Sequence, residues 1–295
     1  MSADVQAIEY EVVHTTEYDY SQPVAVSHHL ACLTPRALPR QQVLHHELEI
    51  EPQPAALSTH TDYFGNAVTF FGMEGPHRRL TVRARSQLTL EAPSLPSPAD
   101  TPPWEAVADR GALPLDTLEF VFASGPGPAI TEPADYVRAS FPAGRPLLEA
   151  VLDLTGRIYE DFTFDPKATT VRTPLADVFE SRRGVCQDFA RLEIACLRSL
   201  GLPARYVSGY LETVPPPSRP RLLGADASHA WLAVYCPGTG WIDVDPTNNV
   251  LPSCRHLTVA WGRDYGDVSP IHGVILGGGK HTLRVNVDVL RLTLR

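Results

Sequence analysis

The stretch "DASHAWLAVYCPGTGWIDVDPTN", Asp226 to Asn248, decides how the second half of this chain folds. Two runs rich in aromatic and β-branched residues flank a Pro/Gly turn, the pattern of a β-hairpin. Side chains alternate faces along a strand, so the parity of the loop sets which residues meet. An odd loop that pairs Tyr235 with Trp241 sets Ala233 against Asp243 and Trp231 against Asp245. His229 is then diagonal to Asp245 on one face, about 7–8 Å away and within reach of a His–Asp contact. An even loop would put the two on opposite faces. Asp243 shares the face of Asp245 but lies further from His229.

Upstream, "RRGVCQDFARLEIACL" (Arg182 to Leu197) predicts a helix that starts at Cys186 and stops near Gly201, with Pro203 beyond. A helix N-terminus presents unpaired N–H groups and a partial positive charge, which stabilises a thiolate. Asp188 would oppose this, but two residues on it points around the helix. A buried structural cysteine is the plainer reading of Cys186, and Cys196, deep in the same helix, reads as core. A cysteine at a helix start, a histidine and a placed carboxylate together form a nucleophile, a base and an orienting group.

The rest of the chain supplies a frame for these residues. "IEYEVVHTTEYDY", "VLHHELEIEP", "NAVTFFGM" and "RLTVRARSQLTLEA" alternate with period two and predict half-buried strands, with a turn at "DYFGN", Asp62 to Asn66. "APSLPSPADTPPW", Ala92 to Trp104, carries five prolines in thirteen residues and can continue neither helix nor sheet. The organisation expected is an N-terminal β-domain over residues 1–92, a Pro-rich linker and connecting segment over 93–145, and a core over 146–295. In that core Leu147, Leu148, Val151, Leu154 and Ile158 mark one helix face, and "PLADVFESRRG" is a second helix ending at Gly184. "HGVILGGGKHTLRVNVDVLRL" reads as a closing hairpin turning at "GGGK".

Composition sets outer limits. A formal charge of −9 argues against a general nucleic-acid binder, which needs a basic surface, though not against a local basic patch. No apolar run reaches the roughly 18 residues of a membrane span, and the first twenty residues lack the pattern of a signal peptide. Five cysteines, Cys32, Cys186, Cys196, Cys236 and Cys254, are odd in number and form no C-x-x-C, which suits reduced thiols in the cytoplasm.

"GVCQDFA", "GLPARYVSGYL", "SHAWLAVY" and "GWIDVDPTN" resemble the bacterial transglutaminase-like family, whose core is papain-like. "HTTEYDYSQPVAVSHHLACLTPR" and "HTDYFGNAVTFF" resemble the N-terminal domain of its bacterial members, and "GGGKHTLRVNVDV" its closing hairpin. The resemblance implies an α+β fold: an antiparallel β-domain, then helices packed on an antiparallel sheet. It implies Cys186 as nucleophile, His229 as base and Asp245 as orienting acid in acyl transfer on amide bonds, with no metal or cofactor. Its bacterial members are peptidase-like, which favours hydrolysis of a peptide, isopeptide or other amide through a thioester. Protein-glutamine gamma-glutamyl transfer, by crosslinking or deamidation, is the alternative. A catalytically silent binding module using its β-domain is a third reading, against which the complete triad argues. A protein or peptide substrate is expected, with neither nucleic acid nor membrane as partner; the family's link with peptide-ligating and proteolytic systems suggests wider partners.

Lesser features carry less. The doublets His28–His29 and His45–His46 point to opposite faces of their strands and make poor metal clamps. "GGGK" lacks the frame of a phosphate loop. Thr213 to Ala227, rich in proline and including Arg219 and Arg221, is a candidate lid beside His229.

Overall fold

The computed structural model describes residues 7–122, 132–213 and 228–292. Alternation builds the first sheet as expected. β1 (Ile8–Ala31) and β4 (Ala67–Leu90) are each 24 residues long and pair antiparallel along most of their length. Tyr10, Val12, His14 and Thr16 take the buried side of β1 in turn. β2 (Gln41–Glu51) and β3 (Ala56–Thr61) lie one after the other on the free edge of β4. The turn before β4 is held by Asp62, whose Oδ1 accepts the N–H groups of Phe64 at 2.9 Å and Asn66 at 2.7 Å.

Beyond the Pro-rich crossing the chain turns helical: α1 (Trp104–Ala108), α2 (Leu115–Leu118), α3 (Glu132–Arg138) and α4 (Leu147–Asp161). Leu147, Leu148, Val151, Leu154 and Ile158 of α4 are all fully buried, as their spacing predicts. β5 (Thr163–Phe164), α5 (Leu175–Ser181) and β6 (Arg183–Gly184) lead into α6 (Cys186–Ser199). α5 stops before Gly184, because Arg182 itself takes the left-handed conformation (φ 54°) that closes the helix. Then β7 (Ala204–Leu211), β8 (Ser228–Cys236), β9 (Gly240–Val244) and β10 (His256–Gly262) form an antiparallel sheet in the order β10-β7-β8-β9. The short α7 (Tyr265–Val268) follows.

The C-terminal segment departs from the sequence reading. β11 (Ile271–Gly277) pairs antiparallel with residues 24–31 of β1, and β12 (His281–Leu292) pairs antiparallel with residues 9–20. Both run in one direction down the same edge of β1, so "GGGK" is not a hairpin turn. It is a kink in one long edge strand. Gly277, Gly278 and Gly279 all have positive φ, and the kink stays tied to β1 through Gln22 N–H to Gly278 O at 3.1 Å and Gly278 N–H to Pro23 O at 3.1 Å. It sits where the β1–β4 register breaks between Asp19 and Val24. Residues 271–292 therefore complete the N-terminal sheet rather than closing the core.

The two halves share one interior. A single cluster joins Tyr10, Val12, Leu88, Leu90, Val287 and Val289 of the long sheet to the apolar faces of α4, α6 and the second sheet. A smaller one, around Phe71, Leu80 and Val82, fills the far end of the long sheet. Polar ties cross the junction too: Tyr10 donates to Glu212 Oε2 at 2.9 Å, and Arg40 pairs with Asp243 at 2.8 Å.

Candidate active site

The start of α6 is built by its own sequence. Asp188, fully buried, accepts the Val185 N–H at 2.9 Å and the Thr169 hydroxyl at 2.6 Å through Oδ2. Its carboxylate thus caps the helix, a stabilising role for an acid in the first turn. Gly184 leaves the room: a Cβ there would stand 2.9 Å from that carboxylate. Phe189, Ala190, Leu192, Ile194 and Leu197 anchor the helix in the core, which holds Cys186 at the helix start.

The hairpin takes the odd register. Tyr235 faces Trp241, Cys236 faces Gly240, and residues 237–239 form the loop. Ala233 then faces Asp243, and the His229 imidazole meets Asp245, with Nε2 to Oδ2 at 2.8 Å. Asp243 instead turns to Arg40 at the junction of the two halves. Asp245 is fully buried and saturated with donors. Oδ1 accepts the N–H groups of Thr247 at 2.9 Å and Asn248 at 3.3 Å. Oδ2 accepts His229, the Asn248 amide at 2.7 Å and His256 Nε2 at 3.0 Å. Backbone bonds between Asp245 and Val250 close the turn that presents these donors.

With Nε2 committed to Asp245, Nδ1 is the ring nitrogen left to serve Cys186, which lies close enough to act on the imidazole's charge. The structure thus brings the carboxylate and imidazole into a hydrogen bond and sets Cys186 near the ring. Burial is the largest influence on His229 and disfavours its charge, but Asp245 and Cys186 together outweigh it and raise its pKa to about 10. Burial likewise works against the Asp245 carboxylate, yet its histidine donors and Asn248 hold it well below the usual range. Trp231, fully buried, lies 6.0 Å from His229 between ring centroids. Gly209, paired with His229 across the strands, makes space for it: a Cβ would stand 2.5 Å from Trp231 Cη2 and would strike the Leu257 carbonyl.

Asn248 and His256 were not foreseen from the sequence. Of the remaining cysteines, Cys32, Cys196 and Cys236 are buried and Cys254 is partly so. Of the histidine doublets, His29 is buried and stacks on Phe71 at 4.8 Å, and His46 bonds Thr34 and Ser86. The donor atoms of His229, Asp245 and His256 lie within 4.8 Å of one another, a spacing that a metal ion could also use. As they stand, both imidazoles are donors to one carboxylate oxygen. The lid segment falls almost wholly on residues 214–227, outside the described residues. No helix among the described residues is long and apolar enough to cross a membrane.

Comparison with known proteins follows the same division. The profile of the bacterial transglutaminase-like N-terminal region matches residues 10–89, and that of the transglutaminase-like superfamily matches residues 136–246. A protein of Mycobacterium tuberculosis is 43% identical over 290 residues, covering 95% of this chain and 92% of its own. A protein-glutamine gamma-glutamyltransferase of Pseudomonas aeruginosa is 34% identical over 107 residues, 34% of this chain but only 16% of that enzyme. A putative cysteine protease from Cytophaga hutchinsonii superposes with a TM-score of 0.78 at 20% identity, over 98% of this chain and 92% of that one, and so shares the fold.

Proposed function

Because this chain belongs to the bacterial transglutaminase-like family, whose members work by cysteine-dependent acyl transfer, we propose that it cleaves amide bonds of peptides or proteins, with Cys186 as nucleophile, His229 as acid–base and Asp245 as orienting group. The observation that carries this reading is the 2.8 Å bond from His229 to the buried Asp245, with Cys186 close enough to the imidazole to favour its charged form. A charged His229 beside the sulfur is the counterion a thiolate nucleophile needs. The thiolate attacks the carbonyl carbon, and the Cys186 backbone N–H, in the first turn of α6 where the helix itself offers no acceptor, donates to the oxyanion. His229 then gives its Nδ1 proton to the departing amine, while Asp245 holds the ring through Nε2. Water, deprotonated by the now neutral imidazole, resolves the thioester. Because Cys186 must remain a free thiol to act, a reducing compartment such as the cytoplasm suits the reaction.

Transfer of a glutamine acyl group to an amine, or its deamidation, is the second reading, favoured by the Pseudomonas relative. Both readings share every step up to the thioester and part at its acceptor. Purified protein incubated with a peptide library, with and without a primary amine, separates them by mass spectrometry. Cleaved peptides support hydrolysis; amine adducts at glutamine support transfer. No thioester-derived product from the intact protein, with Cys186→Ala behaving identically, would sink both.

A further inference from the structure

We propose that His256 is a positioning residue for this centre, a neutral second imidazole that holds Asp245 ionised and aimed at His229. The inference rests on the proposed roles of Cys186, His229 and Asp245. His256 is only 4% exposed and places Nε2 3.0 Å from Asp245 Oδ2, the same oxygen that serves His229. Its other nitrogen, Nδ1, is fully buried with no hydrogen-bond partner among the described residues.

That pair of facts identifies the tautomer. Nε2 faces an acceptor and so carries hydrogen. Nδ1 faces no acceptor, and a proton there would be a buried unpaired donor, so it is bare. His256 is therefore a neutral imidazole. Burial, which lowers its pKa, points the same way, and charging it would place a second cation beside His229, 6.0 Å away between ring centroids. The charged and titratable groups acting on it are Asp245, His229 and Asp243.

Its orientation is fixed from the side as well. The Trp231 indole stands edge-on to it, with centroids 5.3 Å apart and planes at 83°, and Trp231 has its place because residue 209 is glycine. A neutral donor suits this position. Asp245 must remain an anion to support the His229 imidazolium, so its buried charge needs donors. A cationic donor such as lysine would compete with His229 for that charge; a neutral imidazole satisfies the oxygen without doing so.

The test measures Cys186 reactivity, which needs no known substrate. Iodoacetamide modification of Cys186 is timed by mass spectrometry from pH 5 to 11 in the wild type, His256→Leu and His256→Gln, with thermal unfolding as the check on folding. Leucine removes the donor, whereas glutamine can return an N–H near the lost Nε2. Expected at pH 6 is roughly tenfold slower labelling in His256→Leu, about the effect of one hydrogen bond to a charge. His256→Gln should stay within about threefold of wild type. Above about pH 10, where an ordinary thiol ionises unaided, the three should converge. The low-field proton resonance of the His229–Asp245 bond should weaken or shift in His256→Leu and recover in His256→Gln. A folded His256→Leu protein that labels at the wild-type rate at pH 6 with that resonance unmoved would overturn the inference and leave the triad standing. A wild-type Cys186 no more reactive than Cys254 would overturn both.

Discussion

Replacing Asp245 with asparagine changes one atom's chemistry at a position with no solvent to compensate. Oδ2 accepts hydrogen bonds from His229, His256 and Asn248, and Oδ1 accepts two backbone N–H groups. An amide offers one oxygen and one NH2, so in either orientation a donor is turned against donors. The larger effect falls on His229. Its pKa of about 10 depends on Asp245 and Cys186 outweighing burial; without the carboxylate, burial prevails and the ring falls to its ordinary range or below. At pH 7.5 a group with a pKa of about 6.5 is charged roughly one time in ten. The imidazolium that supports the thiolate is then depleted at least about tenfold, and Cys186 labelling at pH 7.5 should slow by that factor or more. Turnover, which also needs the ring held in its orientation, should fall further, by about 10³-fold or more. Asp243→Asn is the control: it breaks only the partly exposed pair with Arg40, at a cost of about 1 kcal/mol or less, and should leave labelling unchanged. Timed alkylation with peptide mapping, beside thermal unfolding curves, reads both variants. If Asp243→Asn slowed labelling while folded Asp245→Asn did not, the reasoning from register to triad would be refuted.

Further outcomes follow from the same geometry. Turnover of an amide substrate should decline as pH rises through about 10, because His229 then loses the proton it gives to the leaving amine; a pH–rate profile flat to pH 11 would contradict this. The same deprotonation should cost stability: the His229 pKa is raised on folding, so its contribution is complete below about pH 6.5 and disappears as pH passes the folded value, visible as a falling unfolding temperature. Gly209→Ala should destabilise the fold by about 3 kcal/mol, since the new methyl meets the Leu257 carbonyl and the Trp231 ring, and denaturant titration would measure it. In native protein at pH 7, Cys186 should label first, with Cys32 and Cys196 inert because burial seals them and raises their thiol pKa values, that of Cys32 to about 12.

Local pattern reveals much of this molecule and then stops. Alternation marks β1 and the two ends of β4, and the spacing of Leu147 to Ile158 marks the buried face of α4, because each is a property of consecutive residues. The register of the β8–β9 hairpin was legible only as a choice between an odd and an even loop, and the structure takes the odd one. The C-terminal strands were not. Three left-handed glycines suit a hairpin and a kinked strand equally, and the choice is made by β1, some 250 residues away. His256 was hidden for a similar reason. A lone histidine opening a strand carries no signal until the sheet places β10 two strands from β8, and the turn after β9 brings Asp245 between the two rings.

The pairing of Glu9 with Leu292 has a consequence for biosynthesis. β1 is made some 240 residues before the strands that cover its outer edge, β11 and β12. Until they leave the ribosome, a 24-residue strand presents one unsatisfied edge to its surroundings, the kind of edge that recruits other chains. The edge therefore stays open while some 240 further residues are translated, and a stall before residue 271 would release an aggregation-prone product even with every residue of the triad in place. The adjacency of Glu9 and Leu292 also offers a remedy. A circular permutant that joins them through a short linker and opens within the Pro-rich segment would synthesise β11, β12 and β1 consecutively, and it should gather in the soluble fraction where slow-translating wild type does not.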